Sequence, residues 1–162
     1  MSTRRLILAL SSAALLSACA SLSGPATVAD TIARDPELST LNGLVQKAGL
    51  KETLDAAGPY TVFAPTNEAF AKMPARTLEE LGQNPARLKE VLSYHVLPAR
   101  VTAADAKVGN ARTAQGASVA LSKAGTFLIV EEAMVQTSDI AATNGVVHTV
   151  DRVLTPPAPA RR

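Results

Sequence analysis

The spacing of apolar residues divides the chain into a helical first half and a β-rich second half. Between residues 28 and 54, one apolar stripe recurs at helical spacing and predicts helix packed on a core: Leu38, Leu41, Leu44, Val45 and Ala48. After Gly109, short β-prone runs are separated by Gly, Ser and Asn and predict strands at 111–113, 119–121, 126–130, 135–137 and 146–154. Helices followed by strands are typical of an α+β domain.

Residues 60–70 predict a strand, a sharp corner and a helix in close succession. The apolar run 60–64 is typical of a buried strand, and Pro65 ends it because proline has no N–H to donate. Thr66 or Asn67 then caps a helix, with Glu68 in the first turn near the positive end of the helix dipole. To be buried, this strand must pair with the later strands.

Smaller signals predict further elements. Residues 77–80 fit a helix capping box, and Asn84-Pro85 fits an N-cap followed by proline at the first helical position. Residues 94–97 are expected to form a strand, and residues 102–107 a short capped helix. Asn144-Gly145 predicts a hairpin, since both residues tolerate a positive φ.

The first 18 residues have the pattern of a signal peptide rather than of a folded segment. Two arginines precede an apolar stretch, residues 6–16, that is too short to span a bilayer. Residues 16–19, Leu-Ser-Ala-Cys, resemble a bacterial lipobox, which implies cleavage before Cys19 and acylation of that cysteine. Several acyl chains hold a protein firmly at a membrane. The resemblance to enterobacterial lipoproteins implies that Ala20, which follows the cysteine, favours the outer membrane. The alternative is an ordinary signal peptide, and export by the Sec or the twin-arginine route stays open.

We expect the rest of the chain to comprise a tether (19–26), a domain (27–155) and a disordered Pro/Ala/Arg tail (156–162). Removing residues 1–18 lowers Lys+Arg from 16 to 14, against 14 Asp+Glu, so the formal net charge becomes zero. Nucleic-acid binding needs clustered cations to meet phosphates. We therefore exclude a nucleic-acid partner.

Three segments together resemble the signatures of the fasciclin (FAS1) domain family. They are residues 61–70 (TVFAPTNEAF), residues 94–96 (YHV) and residues 144–154 (NGVVHTVDRVL). The resemblance implies a wedge of two β-sheets flanked by several helices. It marks as motif residues Thr61, Phe63, Pro65, Thr66, Phe70, Asn144, Gly145, His148 and Asp151. In some animal members the Tyr-His region, here Tyr94 and His95, is implicated in integrin-dependent adhesion. We favour a buried structural pair here.

The chain offers little sequence evidence for catalysis or metal binding. We expect His95 and His148 to lie on strands, where a histidine on an apolar face is most often a hydrogen-bonded core residue. Neither has a neighbour at metal-ligand spacing, and there is no nucleophile elbow. His148 and Asp151 stand three apart on a predicted strand and so on opposite faces. We predict no catalytic residue, no metal and no cofactor.

The function predicted from these observations is a non-enzymatic binding module, held at the membrane by Cys19, for adhesion or envelope contacts with an unknown protein or glycan. A periplasmic binder of a small molecule or polysaccharide is the alternative. A hydrolase would need a polar pocket around either histidine. Asp139, Asn144 and Asp151 are either ligands or turn and strand-end residues, and we favour the second interpretation.

Overall fold

The computed structural model describes residues 26–157. The predicted signal peptide, Cys19 and all but the last residue of the tether lie outside the described residues, as do residues 158–162 of the tail. Within the described range, no helix is long and apolar enough to cross a bilayer.

Six α-helices occupy the first half of the described chain. They are α1 (Val28–Arg34), α2 (Ser39–Lys47), α3 (Lys51–Asp55), α4 (Asn67–Ala71), α5 (Ala75–Gln83) and α6 (Pro85–Tyr94), with a 3₁₀ turn at Pro36–Leu38. The helical region predicted over 28–54 is thus broken into pieces. Pro36 cannot continue α1, and Gly49, with φ +65°, ends α2 in the left-handed conformation that glycine favours.

Seven strands form one continuous hydrogen-bonded sheet. They are β1 (Tyr60–Pro65), β2 (Val96–Leu97), β3 (Gly109–Arg112), β4 (Ser118–Ala124), β5 (Phe127–Val130), β6 (Ala133–Ala142) and β7 (Gly145–Val150). Their order is β2-β1-β7-β6-β5-β4-β3, and β1 and β7 are the parallel pair. The start of β6 pairs with β5 and the remainder with β7, across register shifts between Val135 and Ile140. The two sheets implied by the family resemblance are therefore two halves joined through β6.

β1 separates two hydrophobic clusters. Val62 and Ala64 belong to the cluster formed with the helices, whereas Phe63 belongs to the cluster formed between the halves of the sheet. This division follows from the alternation of side chains along a strand. All residues of β1 after Tyr60 are buried, which confirms that this strand pairs with the later strands.

Local capping signals were partly correct. The Thr66 hydroxyl accepts a hydrogen bond from the Ala69 N–H at the start of α4, and Asn84 caps α6 ahead of Pro85. The predicted capping box at Thr77 is wrong, because α5 already begins at Ala75 and has no side-chain cap.

Two predicted elements differ from the structure. Residues 102–107 form a turn rather than a helix, although the Thr102 hydroxyl accepts a hydrogen bond from the Asp105 N–H as a cap would. The strand predicted from residue 94 begins only at Val96, because α6 continues through Tyr94 and the His95 N–H still bonds to the Leu92 carbonyl.

The predicted hairpin at Asn144-Gly145 joins β6 to β7, but not for the expected reason. Neither residue has a positive φ. Gly145 is required instead because the backbone of β1 passes so close that any Cβ would overlap the carbonyl oxygen of Tyr60. Here glycine provides room for a neighbouring strand rather than conformational freedom.

We predict that Gly145→Ala lowers the free energy of unfolding by about 3 kcal/mol, since the β1–β7 pair must separate to admit a methyl group. Gly43→Ala is the matched control. Gly43 lies within α2 with no atom near the position of an added Cβ, so alanine should stabilise by about 0.5–1 kcal/mol. Urea unfolding measures both. A Gly145→Ala protein as stable as the Gly43→Ala protein would contradict the close approach.

Candidate functional site

Asn144 fastens the beginning of the domain to the sheet. Its Oδ1 accepts a hydrogen bond from the Val28 N–H at 2.8 Å, while Nδ2 donates to the carbonyls of Leu54 at 2.6 Å and Ala56 at 2.8 Å. The neighbouring Thr143 N–H donates to the Ala26 carbonyl at 2.9 Å. Ala26, Thr143, Asn144 and Gly145 therefore lie together where β1 and β7 begin, and we call this end the tether pole.

A cavity of about 420 Å³ opens at the tether pole beside Thr27, Asp55, Pro59 and Arg100. The Asp55 carboxylate accepts hydrogen bonds from Lys51 Nζ at 2.6 Å and from the Thr27 hydroxyl at 2.5 Å. The hydrogen bond from Lys51 has the larger effect and that from Thr27 the smaller, and together they hold the pKa of Asp55 below its usual value. The Asp55 carboxylate and the Asn144 amide therefore both have hydrogen-bond partners within the domain.

Tyr94 lies at the end of α6, where its phenol reaches the sheet. The hydroxyl donates to the Ser118 carbonyl (3.2 Å) or Glu131 Oε1 (3.3 Å), and only 3% of the residue is exposed. Burial raises the pKa of Tyr94, and the charge of Glu131 raises it further. Tyr94 is thus a buried link between α6 and the sheet rather than an exposed recognition residue.

His95 follows Tyr94 as the C-cap of α6, so the prediction that it lies in a strand is wrong. Its Nδ1–H donates to the Val91 carbonyl at 2.7 Å, and its Nε2 accepts from the Leu154 N–H at 2.9 Å. The ring is 1% exposed, and burial lowers the pKa of His95 to about 4. A neutral His95 therefore joins α6 to the chain that follows β7.

His148 lies on β7, as predicted, and is fully buried. Its Nε2–H donates to the Val101 carbonyl at 2.8 Å, and its Nδ1 accepts from the Asp139 N–H at 3.1 Å. The ring stacks on Phe63 with centroids 5.6 Å apart, and burial lowers the pKa of His148. Sequence reasoning missed that this histidine fastens the connection between β2 and β3 to the sheet.

Asp139 completes that attachment. It has a positive φ of 61°, a conformation that aspartate tolerates better than most residues, and its Oδ1 accepts from the Ala103 N–H at 2.9 Å. From the other side, the Thr61 hydroxyl donates to the Ala99 carbonyl and accepts from the Val101 N–H. The β2–β3 connection is thus fixed by side chains from β1, β6 and β7.

The two histidines do not form a catalytic or metal-binding arrangement. Each ring uses one nitrogen as donor and the other as acceptor toward the backbone, which leaves no lone pair for a metal or a substrate proton. Within residues 26–157, no group of three His, Cys, Asp or Glu residues could hold a metal ion. Asp151 is engaged elsewhere, since its Oδ1 accepts from the Met134 N–H and its Oδ2 lies 3.6 Å from Lys72 Nζ.

The remaining motif residues belong to the scaffold. Phe63 and Phe70 are core residues, Thr66 caps α4, and Pro65 ends β1 beside Val150 of β7. The motifs that mark the resemblance therefore map onto the centre of the fold. A binding surface has to be sought outside them.

A groove lies at the opposite end of β1 and β7 from the tether pole. Two adjoining cavities of about 430 and 560 Å³ share Thr77 and Thr155 and separate α4, α5 and α6 from the chain that follows β7. We call them together the distal groove. Because β7 has six residues, the distal groove is roughly 17 Å farther along the sheet than the tether pole.

The distal groove has an apolar floor and a charged rim. The floor residues are Met73, Leu81, Val91 and Ala117. The wall formed by the chain after β7 carries Val153, Pro156 and Pro157, and the rim carries Lys72, Arg87, Glu90 and Arg152. No sequence pattern predicts this groove, since its residues come from separate segments that only the fold brings together. Pro156 and Pro157, expected in the tail, form part of its wall.

A second surface feature is an apolar strip on the outer face of β5 and β6. Phe127 is 57% exposed and Met134 is 43% exposed, and half-buried Ile129 pairs with Met134 across the two strands. Their neighbours Leu128 and Val130 point into the core. The strip is the outward side of an alternating strand pair.

We predict that acid destabilises the domain through its histidines. In the folded state the pKa of His95 is lowered from 6.5 to about 4, so its contribution is complete above pH 6.5 and is lost as the pH falls toward 4. The expected loss in the free energy of unfolding is about 3 kcal/mol from His95 near pH 4, and the lowered pKa of His148 acts in the same direction. Urea unfolding at several pH values measures this.

His95→Gln provides the comparison, because glutamine does not titrate and so removes the His95 share of the pH dependence. A wild-type stability that stays constant between pH 7 and pH 5 would contradict this prediction.

Comparisons with known proteins agree with this scaffold. Residues 36–156 match the family model of the fasciclin domain. The chain is 40% identical over 133 residues to protein sll1483 of Synechocystis, covering 81% of this chain and 74% of that protein. It is 39% identical over 154 residues to immunogenic protein MPB70 of Mycobacterium bovis, covering 87% and 79% of the two chains.

A solved structure of a FAS1 domain pair from the insect cell adhesion molecule Fasciclin I matches the fold, with a TM-score of 0.66 at 18% identity. The match covers 81% of this chain and 51% of that chain, so it concerns a single domain of the pair. Together with the family model and the bacterial relatives, the observed fold leads to one conclusion. The chain belongs to the fasciclin (FAS1) domain family.

Proposed function

We propose that the protein is a non-enzymatic binding module, held at a membrane by acylated Cys19, that binds a protein or glycan through the distal groove in cell adhesion or in contacts of the envelope. The observation that carries the proposal is the placement of two features at opposite ends of β1 and β7. The chain enters at the tether pole beside Thr143, and the groove opens beyond Val150. An anchor at the first end leaves the second end free to meet a partner.

The length of the tether supports close attachment. Cys19 precedes Ala26 by seven residues, which extend to about 25 Å at most. A domain held within that distance meets envelope components at a high effective concentration, so weak single contacts add up to firm attachment. The groove therefore does not need a high intrinsic affinity.

A non-enzymatic role is supported by the way the buried polar groups are used. Both histidines bond to backbone groups through both ring nitrogens. The charged residues of the distal groove, Lys72, Arg87, Glu90 and Arg152, come from three separate segments of the chain. Family membership agrees with this view, and the insect relative of known structure is a cell adhesion molecule.

A second candidate function is binding of a small molecule or a polysaccharide in the periplasm. The observation in its favour is volume, because each of the two groove cavities, about 430 and 560 Å³, falls in the range of small-ligand sites. A domain that faces the periplasm would favour this candidate, whereas a domain exposed on the cell surface would favour adhesion.

We predict that Cys19→Ala releases the protein from the membrane fraction into the soluble fraction, because cysteine acylation is the proposed anchor. In intact bacteria that express the full tagged chain, added protease should digest the wild-type domain while a periplasmic control protein survives. Digestion only after the outer membrane has been opened would instead favour the periplasmic candidate. Persistence of the Cys19→Ala protein in the membrane fraction would refute the anchor.

We predict that Arg87→Glu weakens attachment of these cells to a surface about fivefold, which corresponds to about 1 kcal/mol at the groove rim. Lys89→Glu is the matched control, since Lys89 is an exposed residue of the same helix outside the groove lining. Equal attachment by the two variants would show that the groove is not the contact surface.

A further inference from the structure

The chain that follows β7 has few polar attachments to the domain. Pairing with β6 ends where the Asp151 N–H donates to the Met134 carbonyl. Beyond that point we call residues 152–157 the C-terminal segment. Of its described residues, Leu154 donates its N–H to His95 Nε2, and Arg152 forms an exposed ion pair with Glu132 at 3.7 Å. The His95 ring therefore provides the one buried polar attachment of the C-terminal segment.

The same segment forms a wall of the distal groove. Thr155, Pro156 and Pro157 line one cavity, and Arg152, Val153 and Thr155 line the other. Leu154, between them, is 3% exposed and packs in the cluster between the halves of the sheet. Leu154 therefore holds the groove-lining residues on either side of it against the domain.

Protonation would remove this attachment for a simple geometric reason. His95 Nδ1–H is already committed to the Val91 carbonyl at 2.7 Å, so Nε2 is the acceptor that Leu154 uses. A proton on Nε2 would direct a second N–H against the Leu154 N–H. The two groups could then no longer form a hydrogen bond.

No charged side chain among the described residues lies against the ring to compensate such a proton. The other residues that line the small void beside His95 are all apolar and come from α1, α2, α3, α6, β1 and β2, together with Leu50 before α3. Charged groups near the C-terminal segment lie around its ends and across the groove: Lys72, Arg87, Glu90, Glu132, Asp151 and Arg152.

We propose that His95 is an acid-sensitive latch: its protonation releases the C-terminal segment from the domain and thereby removes one wall of the distal groove. Mild acid then raises the released fraction and weakens binding in the groove, and neutral pH restores it. The consequence for binding rests on the function proposed above. The release itself concerns the protein alone and does not depend on any partner.

The size of the effect follows from the two states of His95. In the latched state the pKa of His95 is about 4, and full exposure of the ring would return it to about 6.5, which sets the upper limit of the effect. The equilibrium between released and latched segment therefore rises by up to roughly 30-fold between pH 7.5 and pH 5. His148 serves as an internal comparison, because its ring holds the Asp139 N–H and not the C-terminal segment.

The test is amide hydrogen exchange of Leu154 in the full processed protein in detergent micelles, measured by NMR between pH 7.5 and pH 5. After correction for intrinsic exchange rates, the protection of the Leu154 N–H should fall by up to roughly 30-fold, and at every pH it should stay lower than that of Val147 in the core, which exchanges only when the domain unfolds. In His95→Gln the Leu154 response should vanish. In His148→Gln the Leu154 response should persist, and the response of Asp139 should vanish.

Constant protection of Leu154 over this range would overturn the latch. Equal protection of Leu154 and Val147 at each pH would also overturn it, because the domain would then open as a whole. If His95→Gln does not fold, the comparison of the Leu154 and Val147 amides in the wild-type protein still tests the latch. Equal attachment by Arg87→Glu and Lys89→Glu cells, with the Leu154 response intact, would refute the groove function and leave the latch standing.

Discussion

The parallel pairing of β1 with β7 is the interaction on which the rest of the structure depends. It joins residues far apart in the chain over six positions, from Tyr60 opposite Gly145 to Pro65 opposite Val150. Helices pack on one side of this pair, and the other half of the sheet folds over its other side. At Gly145 the two backbones approach too closely for any side chain. The tether pole and the distal groove are the two ends of this one pair.

Polar side chains within the core serve mainly to hold irregular backbone. Among residues 26–157, every buried side-chain nitrogen and oxygen has a hydrogen-bond partner. Asn144, His95 and His148 bond to backbone groups of the α1 and α3 ends, the chain after β7 and the β2–β3 connection. These segments lie outside regular secondary structure or at its ends, so their backbone groups need side-chain partners to be buried without cost. Each of these positions in the family motifs requires a particular side chain, because only that side chain places its hydrogen-bonding atoms beside the backbone groups it serves.

Features that depend on neighbouring residues could be predicted from the sequence, whereas features that depend on how distant segments pack together could not. The buried strand at 60–64, the caps at Thr66 and Asn84 and the α+β class follow from local pattern. By contrast, His95 looked like a strand residue because its position at the end of α6 depends on how far that helix runs. The purpose of Gly145 depends on the approach of Tyr60, and the distal groove combines α4, α5 and α6 with the chain after β7. No short stretch of sequence contains such information.

The sheet also ends in two very short strands, β2 with two residues and β3 with four. Unpaired strand edges recruit further strands, and long exposed edges lead to aggregation. Copies held side by side on a membrane would be crowded enough for this to matter. With so few free backbone groups at either margin, neighbouring copies have little opportunity to merge their sheets. The architecture would thus suit the proposed membrane anchor, under which neighbouring copies have to remain individually folded.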